Sequence, residues 1–309
     1  MKEKVIIGVD VGGTKTKATA VNLKNEKIFE VVGPAGSPAV VGVSVTNILE
    51  ALIKEVVDSI NDNYEVIFIQ VGMSGLGVLG DKRIYELELS KRLNIEVAIA
   101  SDATMGLYRI LEDDCDEAIL VVAGTGSVVS GIKDDEVTLV GGYGVLLTEG
   151  GSSYATVKNL VVNIINTFEE DAIFTDLGKE FMEHVGVADL NGFRQFMYGN
   201  SKTKIASYAP FISKKASEGN LEAILLLSEA GRVLANWVRK LVKNKGFKTG
   251  VRIGFNGSFI EKAPYVKAEL FKALDSFGIK TKEFTKDSDS VYGAYYMAKR
   301  RGIIWLQLV

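Results

Sequence analysis

Two glycine-rich turns, each placed after an apolar strand-like run, constrain the fold of this chain more than any other feature. Gly12-Gly13-Thr14-Lys15 follows the run 5–11, and Gly124-Thr125-Gly126-Ser127 follows the run 117–123. Glycine has no Cβ to keep a phosphate away from backbone N–H groups, and threonine or serine adds a hydroxyl donor. We therefore expect two strand–turn–strand segments that bind the phosphates of one polyphosphate.

The length of the chain predicts two domains, because 309 residues exceed the usual size of one hydrophobic core. The order of hairpin, third strand and helix recurs after each glycine turn, as if one mononucleotide-binding unit had been doubled. We predict an N-terminal domain over 1–115 and a C-terminal domain over 116–290 with a helical block at 171–245. A last helix within 291–309 is predicted to return to the N-terminal domain.

Composition excludes several classes of protein. The 36 Lys and Arg residues nearly balance the 39 Asp and Glu residues, so nothing favours nucleic acid or an anionic membrane as a partner. No apolar run approaches the length of a signal or membrane-spanning segment. Cys115 is the only cysteine and His184 the only histidine, which excludes an internal disulfide, a histidine triad and a multi-histidine metal site. We expect a soluble, cytoplasmic homodimer.

Two aspartates follow predicted strands and are candidates for chemistry. Asp10 lies at the end of a buried strand just before the first turn, where a carboxylate needs a partner such as a metal ion or its waters. Asp102 follows the strand 96–100 and opens a helix, whose positive end favours the ionised carboxylate. The alternative is that Asp102 only caps this helix beside Ser101.

A third glycine signal follows the predicted strand 251–255. It reads Gly254-Phe255-Asn256-Gly257-Ser258, and its glycines would let a nucleotide rest against the backbone.

These motifs, in this order, resemble the sugar kinases of the actin-like ATPase superfamily. The resemblance is to the N-acetylglucosamine kinase and BadF/BadG/BcrA/BcrD group, and it covers nearly the whole chain. The segments 8–17 and 124–127 match the two phosphate motifs, and 254–258 matches the adenosine motif. The segment 141–154 resembles the sugar-side segment, and 291–294 resembles the start of the closing helix. The resemblance implies an α/β fold of two ribonuclease H-like domains with a nucleotide cleft between them.

The resemblance also implies an ATP-dependent transfer of the γ-phosphate to a sugar hydroxyl. Asp102 would act as the general base, and Asp10 would hold Mg²⁺ through water. The predicted ATP-binding residues are Gly12, Gly13, Thr14, Lys15, Gly124, Thr125, Gly126, Ser127, Gly254, Asn256 and Gly257. The predicted sugar-binding residues are Ser37, Ser74, Gly75, Tyr143, Thr148 and Glu149.

Several of these residues have plainer interpretations. Lys15 could simply be solvated, and Tyr143 could fill the core. Ser74 and Gly75 could only form a turn, and Glu149 could only favour the dipole of the helix that begins near Gly151.

Departures from the relatives leave the acceptor open between two sugars. Relatives that act on glucose or N-acetylglucosamine tend to carry Asp at the position of Glu149, an acidic residue at Gly150 and Asn at Ser37. We expect a hexose or amino sugar as the acceptor. The alternative is an acidic sugar, as in the archaeal 2-keto-3-deoxygluconate kinase of the same group.

Other classes that share this fold are less well matched. The activator ATPase of a 2-hydroxyacyl-CoA dehydratase needs several cysteines to hold an iron–sulfur cluster, and this chain has only Cys115. A sugar-responsive repressor would need a DNA-binding domain before the first phosphate motif, where only seven residues precede Gly8. A filament-forming relative of actin is a third alternative.

Overall fold

The structure is a computed structural model that describes residues 2–286 and 289–304. The chain divides into two compact units, and each is described by itself. The first unit contains the residues up to Ala118 and those from Thr285 onward, and the second unit is Ile119–Phe284. Residues 305–309 of the predicted last segment lie outside the described residues.

The first unit has one five-stranded sheet with helices on its faces. Its elements are β1 (Glu3–Val11), β2 (Lys15–Asn22), β3 (Lys27–Pro34), α1 (Pro38–Val41), α2 (Val45–Ile60), β4 (Tyr64–Met73), α3 (Lys82–Leu93), β5 (Val97–Ser101), α4 (Asp102–Leu111) and α13 (Gly293–Arg300). The strand order is β3-β2-β1-β4-β5. β1 runs antiparallel to β2 and parallel to β4, and β4 runs parallel to β5.

Side chains alternate along β1 between the two faces of this sheet, so each face packs against a different helix. Val5, Ile7 and Val9 point into a core with the apolar face of α2. Ile6 points to the opposite face, where it packs with Tyr295 and Ala298 of α13. Because side chains alternate with a period of two, the side-chain positions of residues 8 and 10 lie on this same face.

The second unit repeats the same strand order with a larger helical layer. Its elements are β6 (Glu117–Ala123), β7 (Ser127–Lys133), β8 (Glu136–Gly141), α5 (Ser153–Asp171), α6 (Asp176–Val185), α7 (Leu190–Tyr198), α8 (Lys202–Ala206), α9 (Ala209–Ser217), α10 (Leu221–Lys245), β9 (Val251–Asn256), α11 (Ser258–Lys262), α12 (Val266–Ser276) and β10 (Thr281–Glu283). Its sheet has the order β10-β9-β6-β7-β8.

Counted in chain order within each unit, both sheets read 3-2-1-4-5, so the predicted internal repeat is confirmed at the level of topology. The helical block predicted at 171–245 is confirmed as α6 to α10. Its apolar side chains form the core of the second unit together with β6, β7 and β9.

None of the helices among the described residues is long and apolar enough to cross a membrane.

The end of α4 is held by a buried ion pair. Glu112 follows the helix with φ 51° and ψ −136°, a backbone conformation that favours glycine. Its carboxylate accepts from Arg109 Nη1 at 2.8 Å and from Lys286 Nζ at 2.7 Å. Burial alone would raise the pKa of Glu112, but the two cations outweigh burial and the pKa lies below its usual value.

We predict that Glu112→Gln destabilises the protein at pH 7 by roughly 1–2 kcal/mol, because the charged hydrogen bonds that Glu112 accepts from Arg109 and Lys286 become weaker. A lowered native pKa stabilises the fold above the pKa of the unfolded chain, about 4.3, and this stabilisation is lost as the pH falls through the native pKa. Urea unfolding of both proteins from pH 7 to pH 3 measures the difference, which should shrink in acid. Exposed Glu55→Gln is the control, and an equal effect of both substitutions would contradict this role of Glu112.

Candidate active site

The first glycine turn presents backbone N–H groups to solvent. The N–H of Gly12 donates to the carbonyl of Lys15 at 3.0 Å and closes the turn. The carbonyl of Gly12 accepts from the N–H groups of Gly36 and Ser37. The N–H groups of Gly13 and Thr14 donate to no acceptor among the described residues, and both residues are exposed together with Lys15. This is the geometry that an anion needs.

Asp10 is the next side chain after Gly8 on the α13 face of β1. A Cβ on Gly8 would lie 2.7 Å from the carbonyl oxygen of Val291, so the missing side chain lets the segment before α13 approach the strand. This approach brings the hydroxyl of Ser290 to 2.8 Å from Asp10 Oδ2, to which it donates. Burial raises the pKa of Asp10 despite this bond, and the charges of Asp102 and Asp289 raise it further.

Lys17 lies close to this acidic group. Its ammonium is paired with Asp289, and the ion pair raises the pKa of Lys17 although burial acts to lower it. Asp10, Asp102 and Asp289 therefore form a group of carboxylates in the first unit with one partly buried cation beside them.

Asp102 is the first residue of α4, as the sequence predicts. Ser101 is the N-cap, because its hydroxyl accepts from the N–H of Thr104 at 3.0 Å, so Asp102 is not needed for that role. The carboxylate of Asp102 accepts from the N–H of Ala103 at 2.8 Å, and the Ser74 side chain acts to lower the pKa of Asp102. The helix end was expected to favour the ionised form, but burial outweighs these effects and raises the pKa of Asp102.

Ser37, Ser74 and Gly75 come together in the first unit. The hydroxyl of Ser37 donates to the carbonyl of Ser74 at 2.9 Å. Gly75 has φ 75°, and a Cβ there would lie 2.9 Å from Ser37 Oγ. Since Ser74 influences the pKa of Asp102, this group lies near the predicted base; its contact with a sugar stays a prediction.

Hydrogen bonds accepted by its carbonyl groups fix the second glycine turn. The carbonyls of Gly124 and Thr125 accept from the first two N–H groups of α5, those of Ser153 at 2.9 Å and Tyr154 at 3.4 Å. The N–H groups of Thr125 and Gly126 donate to no acceptor among the residues that the structure describes. Like the first turn, this one leaves N–H donors available to a ligand.

The predicted adenosine motif lies beside the second turn. Gly257 has φ 112°, and a Cβ there would lie 2.5 Å from the carbonyl oxygen of Ala123, at the strand end that leads into the turn. Gly254 is buried inside β9, whereas Asn256 at the end of that strand is exposed. Of the three predicted ATP-binding residues in this motif, Asn256 and Gly257 are therefore open to a ligand, and Gly254 is not.

The predicted sugar-side segment is exposed at Tyr143 and Thr148 and buried at Ser152 and Ser153, with Glu149 between them. Tyr143 is 67% exposed, so it does not fill the core, and its N–H donates to Thr148 Oγ1 at 3.3 Å. The side chain of Glu149 is only 5% exposed and forms an ion pair of 2.8 Å with Lys202. The sequence gave no signal for Lys202, because it lies far along the chain in the helical block.

Two cavities adjoin this ion pair in the second unit. One of about 330 Å³ is lined by Thr148, Glu149, Asn159, Glu229 and Trp237 among others. The other, of about 830 Å³, is lined by Leu146, Tyr154, Lys158, Arg194, Tyr198 and Lys202 among others. Both lie within the size range of ligand sites.

The carboxylates of the first unit suit a Mg²⁺ ion that keeps most of its waters. Among the described residues no three His, Cys, Asp or Glu side chains are grouped closely enough to enclose a metal. Mg²⁺ is usually held by one or two carboxylates together with waters and substrate phosphates. The raised pKa of buried Asp10 beside two other carboxylates is a charge imbalance that such a cation would relieve.

Two units with the same 3-2-1-4-5 order, each with a phosphate-type glycine turn after its first strand, define an actin-like ATPase fold. The chain belongs to the BadF/BadG/BcrA/BcrD ATPase family, whose profile matches residues 7–295. The family and the fold predicted from the sequence are thereby confirmed.

Curated relatives match over nearly their whole length. The N-acetylmuramic acid/N-acetylglucosamine kinase of Clostridium acetobutylicum is 26% identical over 304 residues, which cover 96% of this chain and 98% of the relative. The N-acetyl-D-glucosamine kinase of Dictyostelium discoideum is 24% identical over 291 residues, 89% of this chain and 91% of the relative.

A solved structure of similar fold is the ROK family glucokinase from Streptomyces griseus in complex with glucose and AMPPNP. It has a TM-score of 0.59 and 17% identity, with 96% of this chain and 99% of that chain covered.

We predict that Asp102→Asn stabilises the protein at pH 7, on the order of 1 kcal/mol. Because the native pKa of Asp102 lies above that of the unfolded chain, ionisation of Asp102 costs the native state free energy as the pH rises. The Oδ1 of asparagine can still accept from the N–H of Ala103 without the desolvated charge, so the gain should vanish below about pH 4. Thermal unfolding at several pH values measures it against Asp62→Asn, an exposed control. A less stable Asp102→Asn at pH 7 would contradict the buried, costly charge.

Proposed function

We propose that this protein is an ATP-dependent sugar kinase. The observation that carries it is Asp102, a half-buried carboxylate whose pKa is raised by desolvation, at the start of a helix in the same unit as Asp10 and a glycine turn. The N–H groups of Gly13 and Thr14 in that turn meet no acceptor among the described residues. A raised pKa suits a general base, and active sites are where such costly groups are retained.

Each set of site residues has its own role in the proposed reaction. Asp102 accepts the proton of the sugar hydroxyl while its oxygen attacks the γ-phosphate, and the Ser74 hydroxyl orients the carboxylate. The N–H groups of Gly13 and Thr14 and of Thr125 and Gly126 bind phosphate oxygens. Asp10 would hold Mg²⁺ through water, and the ion would supply positive charge beside the phosphates.

The acceptor that we propose is an amino sugar. Two relatives matched over most of their length are named as N-acetylglucosamine kinases, and their names support the same class of acceptor here. The single Cys115 supports a reducing compartment, and we propose a cytoplasmic homodimer.

We predict that N-acetylglucosamine stimulates ADP release and that Asp102→Asn lowers kcat by about 10²–10⁴, the usual contribution of a positioned base. A coupled assay over glucose, glucosamine, N-acetylglucosamine and 2-keto-3-deoxygluconate measures both, with Asp62→Asn as the matched control. Stimulation by no sugar would contradict the kinase, and full activity of Asp102→Asn would contradict the base.

A second acceptor class, a sugar that carries a carboxylate, is favoured by the larger cavity. Lys158 and Arg194 line it and form no ion pair with any carboxylate that the structure describes, while Glu169 is its one acidic lining residue. Two unpaired cations on a surface with Tyr154 and Tyr198 suit an anionic substituent. The Clostridium acetobutylicum relative is named for one such sugar, N-acetylmuramic acid.

If the acceptor is acidic, Arg194→Gln should lower kcat/KM for N-acetylmuramic acid by about tenfold and leave N-acetylglucosamine unaffected. Steady-state kinetics with both sugars measure the ratio, and Lys179→Gln, on the exposed side of α6, is the control. An unchanged ratio would exclude Arg194 from acid recognition.

A further inference from the structure

The ammonium group of Lys202 lies directly over the second glycine turn. A Cβ added to Gly126 would lie 2.5 Å from Lys202 Nζ and 3.6 Å from Glu149 Oε2. The ammonium at the end of this flexible side chain is therefore close to the backbone of the turn at Gly126. Lys202 is the first residue of α8, and the neighbouring cap, in which Ser201 accepts from the N–H of Lys204, fixes the start of that helix.

Donor groups are in excess at this place. The carbonyls of Gly124 and Thr125 are already bonded by α5, while the N–H groups of Thr125 and Gly126 have no acceptor among the described residues. An ammonium group has three N–H donors, and Glu149 takes one from Lys202 at 2.8 Å. Two N–H donors of Lys202 therefore remain next to the two backbone N–H donors. Together these four donors can bind phosphate oxygens.

Glu149 is placed to hold Lys202 rather than a sugar. Its side chain is 5% exposed, so its charge requires a cation, and Lys202 is its only ion-pair partner among the described residues. Ser127 of the same turn lies 3.4 Å from Glu149 Oε1. The carboxylate thus connects the helix that carries Lys202 to the turn over which the ammonium lies.

We propose that Lys202 is a catalytic residue that donates hydrogen bonds to a phosphate group of ATP held by the second glycine turn, with Glu149 as its positioning residue. This assignment rests on the proposed kinase activity. In that reaction the sugar oxygen bonds to the γ-phosphorus, the bond from phosphorus to the leaving oxygen of ADP breaks, and Asp102 takes the proton. Lys202 lowers the energy of the charge on the phosphate oxygens throughout.

Nucleotide binding tests Lys202 without turnover. Lys202→Met should weaken the binding of the non-hydrolysable analogue AMPPNP by about tenfold, as expected for the loss of a charged hydrogen bond. Adenosine has no phosphate, so its affinity should not change. Calorimetry measures both, and Lys204→Met is the matched control, because this neighbour on α8 lies over the ring of Tyr208 instead. Equal affinities of Lys202→Met and wild type for AMPPNP would overturn the assignment.

Kinetics of a double variant distinguish two roles of Lys202, which are phosphate binding and neutralisation of the Glu149 charge. Lys202→Met should lower kcat/KM for ATP by about 10²-fold with little change in the sugar KM, and Lys202→Arg should recover part of it. In Lys202→Met with Glu149→Gln no buried carboxylate is left unpaired. If activity stays low, Lys202 acts on phosphate; if it returns to the wild-type level, Lys202 only neutralises Glu149 and the assignment is wrong.

The experiments distinguish an error in the role assigned to Lys202 from an error in the proposed kinase activity. If no sugar stimulates ADP release by the wild type, the kinase is excluded, while AMPPNP binding still decides whether Lys202 contacts phosphate. If the wild type is active and Lys202→Met raises only the sugar KM, the kinase stands and Lys202 belongs to the sugar site instead.

Discussion

The close approach of the last helical segment to β1 is the contact that brings Ser290 to Asp10 in the first unit. Only a residue without a Cβ fits at Gly8, because the carbonyl of Val291 would lie 2.7 Å from that atom. The same approach delivers Ser290 to Asp10, two residues further along the same face of the strand. Substitution of Gly8 would therefore disturb the proposed magnesium site without touching any residue that binds the metal.

A different contact organises the second unit. There the N-terminus of α5 donates to the carbonyls of Gly124 and Thr125 and fixes the turn, while the N–H groups of Thr125 and Gly126 meet no acceptor among the described residues. Gly257 closes on the end of β6 in the same way that Gly8 admits the last segment to β1. In both units a glycine therefore permits a close backbone approach, whereas Gly254, predicted to bind nucleotide, is buried within β9.

The parts of the site that lie at strand ends could be predicted from the sequence, because burial and glycine turns mark them locally. Asp10, Asp102 and both turns follow from apolar runs that stop at a polar or glycine residue. Lys202 could not be predicted in this way, because it lies in the helical block. The spacing of apolar residues there indicates only which side chains pack in the core. The direction of the pKa shift of Asp102 could not be predicted from the sequence either. The helix N-terminus favours the charged form, but in the folded protein burial outweighs it and raises the pKa.

The two units differ in the charged side chains beside their glycine turns. In the first unit the charges of Asp102 and Asp289 raise the pKa of Asp10, and Lys17 is a cation beside them. In the second unit the ammonium of Lys202 lies over the turn and is paired with Glu149. In the proposed reaction the first set would hold a divalent cation and supply the base, whereas Lys202 would bind phosphate oxygens. A lysine placed as close to Asp102 as Lys202 is to Glu149 would lower the pKa of Asp102 and weaken it as a base, which is a physical reason to keep these two groups apart.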